Sequence, residues 1–229
     1  MGTKGKVVFG AIVGIVVIGT VSANTGGKGG DSNSADTGKA PSVSARHQHG
    51  GKKGADGSGA VKKKAAFAGD GSFRVGSDVK PGTYRTTGNT DDSCYWERAK
   101  DASGEMDSLL ANDNVTGASY VTVKTSDKLF KSSGCKDWEA VAPKAKGSPA
   151  SAMAGDGGMF KVGSDIAPGT YKSTGNADDA CYWERAKDAE HGLDSIIAND
   201  NVTGTAVVTI RSTDAYFKTT GCGDWKKTA

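Results

Sequence analysis

The chain has 229 residues and a formal net charge of +3 at pH 7, which conceals two oppositely charged parts. Residues 24–68 carry eight Lys or Arg against three Asp, whereas residues 69–141 and residues 155–229 each carry a net charge of −3. The positive charge is confined to a stretch rich in Gly and Ser, and the remainder is mildly acidic. This distribution argues against a nucleic-acid-binding protein.

The N-terminus has the pattern of a targeting segment. Lys4 and Lys6 precede an uncharged apolar run, and small residues follow the run at positions 21–23. Residues 1–23 are therefore predicted to be a cleaved signal peptide or, alternatively, a membrane anchor formed by residues 7–23. Both alternatives place the rest of the chain outside the cytoplasmic membrane. Residues 24–68 are predicted to form a flexible basic linker.

The remainder of the chain is a tandem repeat. Residues 75–101 and residues 162–188 are identical at 21 of 27 positions, with a constant offset of 87. The repetition predicts two small modules, residues 69–141 (repeat 1) and residues 155–229 (repeat 2), joined by a second linker at residues 142–154. Two heads on one tether would gain avidity from weak single contacts.

The four cysteines are divided equally between the repeats. Cys94 and Cys135 lie in repeat 1, and Cys181 and Cys222 lie in repeat 2 with the same separation. Two cysteines per repeat at the same separation predict one disulfide within each repeat. Modules of about 70 residues usually need such a cross-link. Disulfides indicate an oxidising compartment. No CxxC spacing is present and no histidine lies nearby in the sequence, so a zinc site is not expected.

Each repeat is dominated by short runs of strand-forming residues separated by Gly, Pro, Asn and Asp clusters. These clusters predict an all-β fold of two tandem small antiparallel β-sandwich or β-barrel modules, with six to eight strands each and a disulfide from the third strand to the last. Residues 99–107 are predicted to be a loop. In repeat 1 the runs are residues 73–75, 83–86, 94–99, 119–124 and 129–133.

The combined motif of each repeat is distinctive. It reads VGxDIxPGTY, with Val79 in place of the Ile in repeat 1, then CYWER, then a hydrophobic pair before ANDN, and finally GCxxW. This combination resembles a β-rich repeat of secreted or membrane-anchored proteins of high-GC Gram-positive bacteria. The resemblance covers both repeats and nothing before Gly69. It implies an all-β extracytoplasmic module and carries no activity, cofactor or ligand with it.

Histidine chemistry is not expected. The chain has His47 and His49 in the predicted linker and His191 in repeat 2, where repeat 1 has no counterpart. A serine or cysteine nucleophile activated by a histidine common to both repeats is therefore excluded. Glu97 and Glu184 could serve a small glycan hydrolase, but a Glu beside Arg in a strand is more often part of an ion pair. No metal and no cofactor are predicted.

The aromatic residues of the CYWER motif suggest binding. Adjacent strand residues face opposite sides, so Trp96 should lie on the side of Cys94 in the core and Tyr95 should face outward. The hypothetical binding face combines these outward residues with the ANDN motif. It comprises Tyr95, Glu97, Asn112, Asp113 and Asn114 in repeat 1, and Tyr182, Glu184, Asn199, Asp200 and Asn201 in repeat 2.

The sequence as a whole favours a non-catalytic, extracytoplasmic binding module at the cell envelope. The expected partner is an envelope component or a surface protein, with the membrane as a further contact if the N-terminal segment is not cleaved. One alternative is the wall-glycan hydrolase. Another is a structural spacer without a ligand, which would be favoured if every aromatic side chain were buried.

Overall fold

The computed structural model of the chain describes residues 65–142 and 147–228. The predicted signal peptide or anchor and most of the predicted basic linker lie outside the described residues. Within the described residues, no helix has the length and apolar character needed to cross a membrane.

The all-β prediction is confirmed, and the sheet is not closed into a barrel. Repeat 1 contains β1 (Gly71–Arg74), β2 (Gly82–Ala99), β3 (Leu109–Val123), β4 (Leu129–Ser133) and β5 (Glu139–Ala140). Repeat 2 contains β6 (Ala152–Met153), β7 (Gly158–Lys161), β8 (Gly169–Ala186), β9 (Ile196–Ile210), β10 (Tyr216–Thr220) and β11 (Trp225–Lys227). Short 3-10 turns at Met106–Ser108 and Leu193–Ser195 precede β3 and β9.

Repeat 2 has six strands, within the expected six to eight, whereas repeat 1 has five, one fewer than expected. The reason is that two predicted runs, residues 83–86 and 94–99, belong to the single 18-residue strand β2. The antiparallel hairpin of β2 and β3 shifts register between Thr86 and Cys94. One part of β2 pairs with β5 and the other with β4, so one strand serves two parts of a curved sheet.

A buried asparagine fixes this register shift in each repeat. The side-chain amide of Asn89 donates to the Gly117 carbonyl at 3.0 Å, and its oxygen accepts from the Lys136 backbone N–H at 2.8 Å. Asn176 makes the equivalent bonds to the Gly204 carbonyl and the Gly223 N–H. Because backbone groups at an irregularity lack ladder partners, these amides satisfy groups that would otherwise be buried without a hydrogen bond.

The core of each repeat surrounds its disulfide. Cys94 is bonded to Cys135 and Cys181 to Cys222, as predicted. Trp96 is fully buried in the same cluster as the first disulfide, which confirms its predicted side. The disulfide does not reach the last strand, because Cys135 lies in the connection between β4 and β5.

Both predicted linkers extend too far into the modules. Phe67 is buried against Trp138, with 6.0 Å between ring centroids, although the sequence placed it in the first linker. Met153 is buried in the repeat 2 core, although the sequence placed it in the second linker. A single apolar residue in a polar stretch gives too weak a pattern to be recognised as part of a core.

All described residues belong to one compact unit. The hydrophobic clusters and both disulfides are made entirely within it, so this part of the chain contains what it needs to fold on its own. The two repeats are not separate heads, because β3 of repeat 1 is a neighbour of β7 of repeat 2 in one sheet.

Candidate functional site at the contact between the repeats

The repeats meet through the backbone of β3. The Ala118 N–H donates to the Gly157 carbonyl at 2.9 Å, and the Thr122 N–H donates to the Ala189 carbonyl at 2.7 Å. Repeat 2 has one extra glycine here, because AGDGGMF replaces AGDGSF. A Cβ atom at Gly158 would overlap with the Ala118 carbonyl oxygen. The pair Gly157 and Gly158 therefore permits a close backbone approach.

Tyr120 is the centre of the side-chain contact. It is 3% exposed, its hydroxyl donates to Asp165 at 2.7 Å, and its ring lies 5.1 Å from that of Tyr216. His191 Nε2 lies 2.7 Å from the Tyr120 carbonyl, so Nε2 carries the proton because a carbonyl only accepts. The His191 ring also contacts Trp96 edge-on at 4.7 Å.

Charged groups surround this cluster. Lys218 Nζ lies 2.7 Å from each carboxylate oxygen of Asp113 in repeat 1. Burial lowers the pKa of Lys218, but the nearby charges of Asp113 and Glu184 raise it on balance. Arg98 donates to the Glu190 carbonyl at 2.7 Å, and Lys124 binds the Glu190 carboxylate at 2.7 Å.

The predicted binding residues of repeat 1 are divided between two faces. Tyr95 pairs with Asn114, and Glu97 with Asn112, in the β2–β3 ladder, so these four residues share a face. Asp113 lies opposite Trp96 and binds Lys218 instead. The structure therefore brings four of the five residues together and places Asp113 in the contact between the repeats.

The Tyr95 hydroxyl donates to Glu97 at 2.8 Å, and Lys131 Nζ lies 2.9 Å from the other Glu97 oxygen. Burial and the hydrogen bond to Glu97 raise the pKa of Tyr95 to about 12. Burial raises the pKa of Glu97, but the bonds from Lys131 and Tyr95 outweigh it and lower the pKa on balance. We call Tyr95, Glu97 and Lys131 the repeat 1 triad.

The repeat 2 triad is Tyr182, Glu184 and Lys218. The Tyr182 hydroxyl donates to Glu184 at 2.7 Å and accepts a long bond of 3.4 Å from Asn199. Glu184 is 8% exposed. It lines a polar cavity of about 130 Å³ that also includes Asn112 of repeat 1, His191 and Lys218.

The two remaining predicted residues of repeat 2 lie on β9. Asp200 and Asn201 are exposed, and an Asp200 carboxylate oxygen accepts a hydrogen bond from the Asn201 backbone N–H at 2.9 Å. Asp200 lies opposite Trp183, as Asp113 lies opposite Trp96.

A groove on the contact between the repeats was not predicted. It consists of adjoining cavities of about 420 and 170 Å³, lined by Tyr84, Arg85, Tyr120, Lys161 and Tyr216 among others. The contact residues could have been found by comparing the two repeats, because several of these residues differ between otherwise similar sequences. Tyr120 corresponds to Val207, His191 to Gly104, and Gly157 to no residue, because Gly158 holds the register position of Gly71.

The fold and the paired disulfides define an all-β extracytoplasmic module present in two fused copies. The family model of the Rv1352-like extracellular domain matches residues 65–139 and again residues 151–226. The chain belongs to this family, and it contains two copies of the domain. The family description supports an extracytoplasmic location.

Two curated relatives are the uncharacterized protein Rv1352 of Mycobacterium tuberculosis and the uncharacterized protein Mb1387 of Mycobacterium bovis. Each is 30% identical to this chain over 99 residues, which cover 38% of this chain and 80% of the relative. These relatives agree with the resemblance to high-GC Gram-positive proteins. No solved structure is significantly similar to the chain.

Proposed function

We propose that this protein is a non-catalytic extracytoplasmic interaction module that binds a cell-envelope component or a surface protein through the repeat 1 triad and its neighbours Asn112 and Asn114. The proposal rests on a difference between the two triads. The repeat 2 triad lies against repeat 1 and binds its Asp113 carboxylate, whereas the repeat 1 triad faces outward.

The difference in exposure between the two triads is clearest at the lysines. The Lys218 side chain is 16% exposed and the Lys131 side chain is 41% exposed. Repeat 1 thus leaves accessible to solvent the lysine whose counterpart in repeat 2 makes a contact within the molecule. Lys131 supplies a positive charge, while Tyr95 and two exposed asparagine amides supply hydrogen bonds, so the favoured ligand carries carboxylates on a polar surface.

The electrostatics of Glu97 do not favour the hydrolase alternative. A general acid in glycoside hydrolysis needs a carboxyl with a raised pKa, but the pKa of Glu97 is lowered by Lys131 and Tyr95. The spacer alternative would require buried aromatic side chains throughout, and Tyr95 and Tyr182 are only half-buried.

The test is co-sedimentation of oxidised residues 65–229 with isolated mycobacterial cell envelopes. We expect Tyr95→Ala to lower the bound fraction several-fold, because it removes the exposed tyrosine. Tyr182→Ala is the matched control, since it makes the same change in the triad that repeat 1 covers. Equal losses from the two variants, or no binding by the unaltered protein, would contradict the proposal. Release of soluble glycan fragments would support the hydrolase instead.

A further inference from the structure

The contact between the repeats uses different surfaces on its two sides. Repeat 1 contributes what we call the strand edge, made of Asp113, Ala118 and Thr122 of β3 together with Arg98. Repeat 2 contributes what we call the receiving surface, made of Gly157, Ala189, Glu190 and Lys218.

A contact of this heterologous kind between similar modules leaves one surface of each type unused. The unused strand edge is on β9, which pairs only with β8 among the described strands. The unused receiving surface is on repeat 1 and comprises Ala102, Ser103 and Lys131, at the positions of Ala189, Glu190 and Lys218.

We propose that a second copy of this chain joins the two unused surfaces, so that β9 of one molecule docks on the receiving surface of repeat 1 in the next. The receiving surface includes Lys131 and therefore adjoins the repeat 1 triad. A second copy of the chain would then be one partner of the repeat 1 triad, and in this respect the inference rests on the function proposed above.

Charge complementarity is retained at the unused surfaces. Asp200 occupies in β9 the position of Asp113 in β3, and Lys131 occupies in β4 the position of Lys218 in β10. Both are accessible, because Asp200 is exposed and the Lys131 side chain is 41% exposed. In the docked state Lys131 binds Asp200 of the neighbouring molecule, as Lys218 binds Asp113.

Hydrogen bonds to backbone carbonyls are also available to the second copy. The Thr122 N–H donates to the Ala189 carbonyl, so Thr209 at the equivalent position can donate to the carbonyl of Ala102, which occupies the position of Ala189. Gly157, the acceptor of the Ala118 N–H, has no counterpart in repeat 1. Arg98 holds Asp127 through Nε and Nη2 and donates Nη1 to the Glu190 carbonyl.

Arg185 likewise holds Asp214 through Nε and Nη2. Its Nη1 is thus placed to donate to the Ser103 carbonyl of a neighbouring molecule, because Ser103 occupies the position of Glu190.

The unused strand edge exposes apolar surface that docking would cover. Val207, at the position of the buried Tyr120, is 61% exposed. Trp183 is half-buried, whereas Trp96 is fully buried. Repeat 1 has Gly104 at the position of His191 and no counterpart of Gly157, so the contact between molecules is weaker than the one within the chain.

The test is sedimentation velocity of oxidised residues 65–229 over increasing concentration. The weight-average mass of the unaltered protein should rise above that of one chain. Asp200→Lys and Lys131→Asp each place like charges opposite one another, and each should lower the association constant at least about tenfold. Mixing these two variants restores opposite charges at every contact and should restore association. Lys226→Asp, an exposed charge reversal away from both surfaces, should have no effect.

Two outcomes would overturn the inference: a mass of one chain at every concentration, or a mixture that stays as dissociated as the single variants. The proposed function is tested separately, because Asp200→Lys leaves the repeat 1 triad unchanged. Envelope binding by Asp200→Lys, without self-association, would show that the triad has an envelope ligand. If the unaltered protein self-associates but binds no envelopes, the inference stands and the envelope proposal fails.

Discussion

Repeat 1 and repeat 2 share most of their sequence, yet equivalent residues occupy different environments. Trp96 is fully buried beside His191, whereas Trp183 is half-buried. Tyr120 is 3% exposed, whereas Val207 at the equivalent position is 61% exposed. The role of a residue in this tandem repeat therefore depends on which side of its own repeat the other repeat occupies.

The triads make the same point in electrostatic terms. Lys131 binds Glu97 of its own repeat, whereas Lys218 binds Asp113 of the other repeat. Identical side chains therefore form a partly exposed local ion pair in one repeat and a more enclosed pair between repeats in the other. Variants made in matched pairs test whether the two environments differ in this way.

The largest expected effect is the loss of a disulfide. Each bond closes a loop with a sequence separation of 41, and the chain-entropy relation predicts a loss of about 4 kcal/mol in the free energy of unfolding. Cys94→Ala with Cys135→Ala should therefore cost as much as Cys181→Ala with Cys222→Ala. Urea unfolding of the two double variants measures this. A marked inequality would show that the contact between the repeats supports one module more than the other.

The next effect separates the two lysines. Lys218→Met leaves the Asp113 carboxylate without its partner in a site where its side chain is only 14% exposed, and it should lower the free energy of unfolding by roughly 3 kcal/mol. Lys131→Met removes a partly exposed pair and should cost less than about 1 kcal/mol. Equal losses in urea unfolding would contradict the difference inferred between the two environments.

Local features could be predicted from the sequence because they follow from short-range patterns. Period-2 alternation placed Trp96 with Cys94 in the core, and equal cysteine separations gave both disulfides. Both copies of the repeat show the same pattern of strand-forming residues, so the all-β class could be predicted from each of them. The curvature of β2 was missed, because a strand that continues through an irregularity reads as two strands separated by a turn.

The candidate site could be predicted only in part. The shared face of Tyr95, Glu97, Asn112 and Asn114 follows from strand pairing. The position of Asp113 in a contact between repeats depends on tertiary docking, which no periodicity encodes. His191 was dismissed because repeat 1 lacks a counterpart, although a residue unique to one repeat is what a heterologous contact requires.

A smaller effect tests the close backbone approach at Gly158. Gly158 and Gly163 share a positive φ of 77°, so alanine at either position incurs similar backbone strain. A Cβ atom at Gly158 would also overlap with the Ala118 carbonyl oxygen. A Cβ atom at Gly163 would have no such neighbouring atom within 4 Å. Gly158→Ala should therefore cost about 1–2 kcal/mol more than Gly163→Ala in urea unfolding. Indistinguishable losses would mean that the contact adjusts freely.

The smallest effect concerns pH and the one histidine of the described residues. Burial lowers the pKa of His191 from 6.5 and outweighs the opposing influence of Asp113 and Glu184, and the Lys218 charge lowers it further. The folded state therefore favours neutral His191. Its contribution to stability is complete above about pH 6.5 and is lost as the pH falls from there towards the folded-state pKa, with a limiting slope of about 1.4 kcal/mol per pH unit.

His191→Gln keeps a donor for the Tyr120 carbonyl but cannot gain a proton, so it isolates this contribution. Between pH 7 and pH 5 the free energy of unfolding should fall more steeply in the unaltered protein than in His191→Gln, as measured by urea unfolding at each pH. Carboxyl groups with lowered pKa values, such as Glu97 and Asp214, reduce stability only at lower pH and do so in both proteins. Parallel pH profiles would therefore place the acid sensitivity elsewhere than at the contact between the repeats.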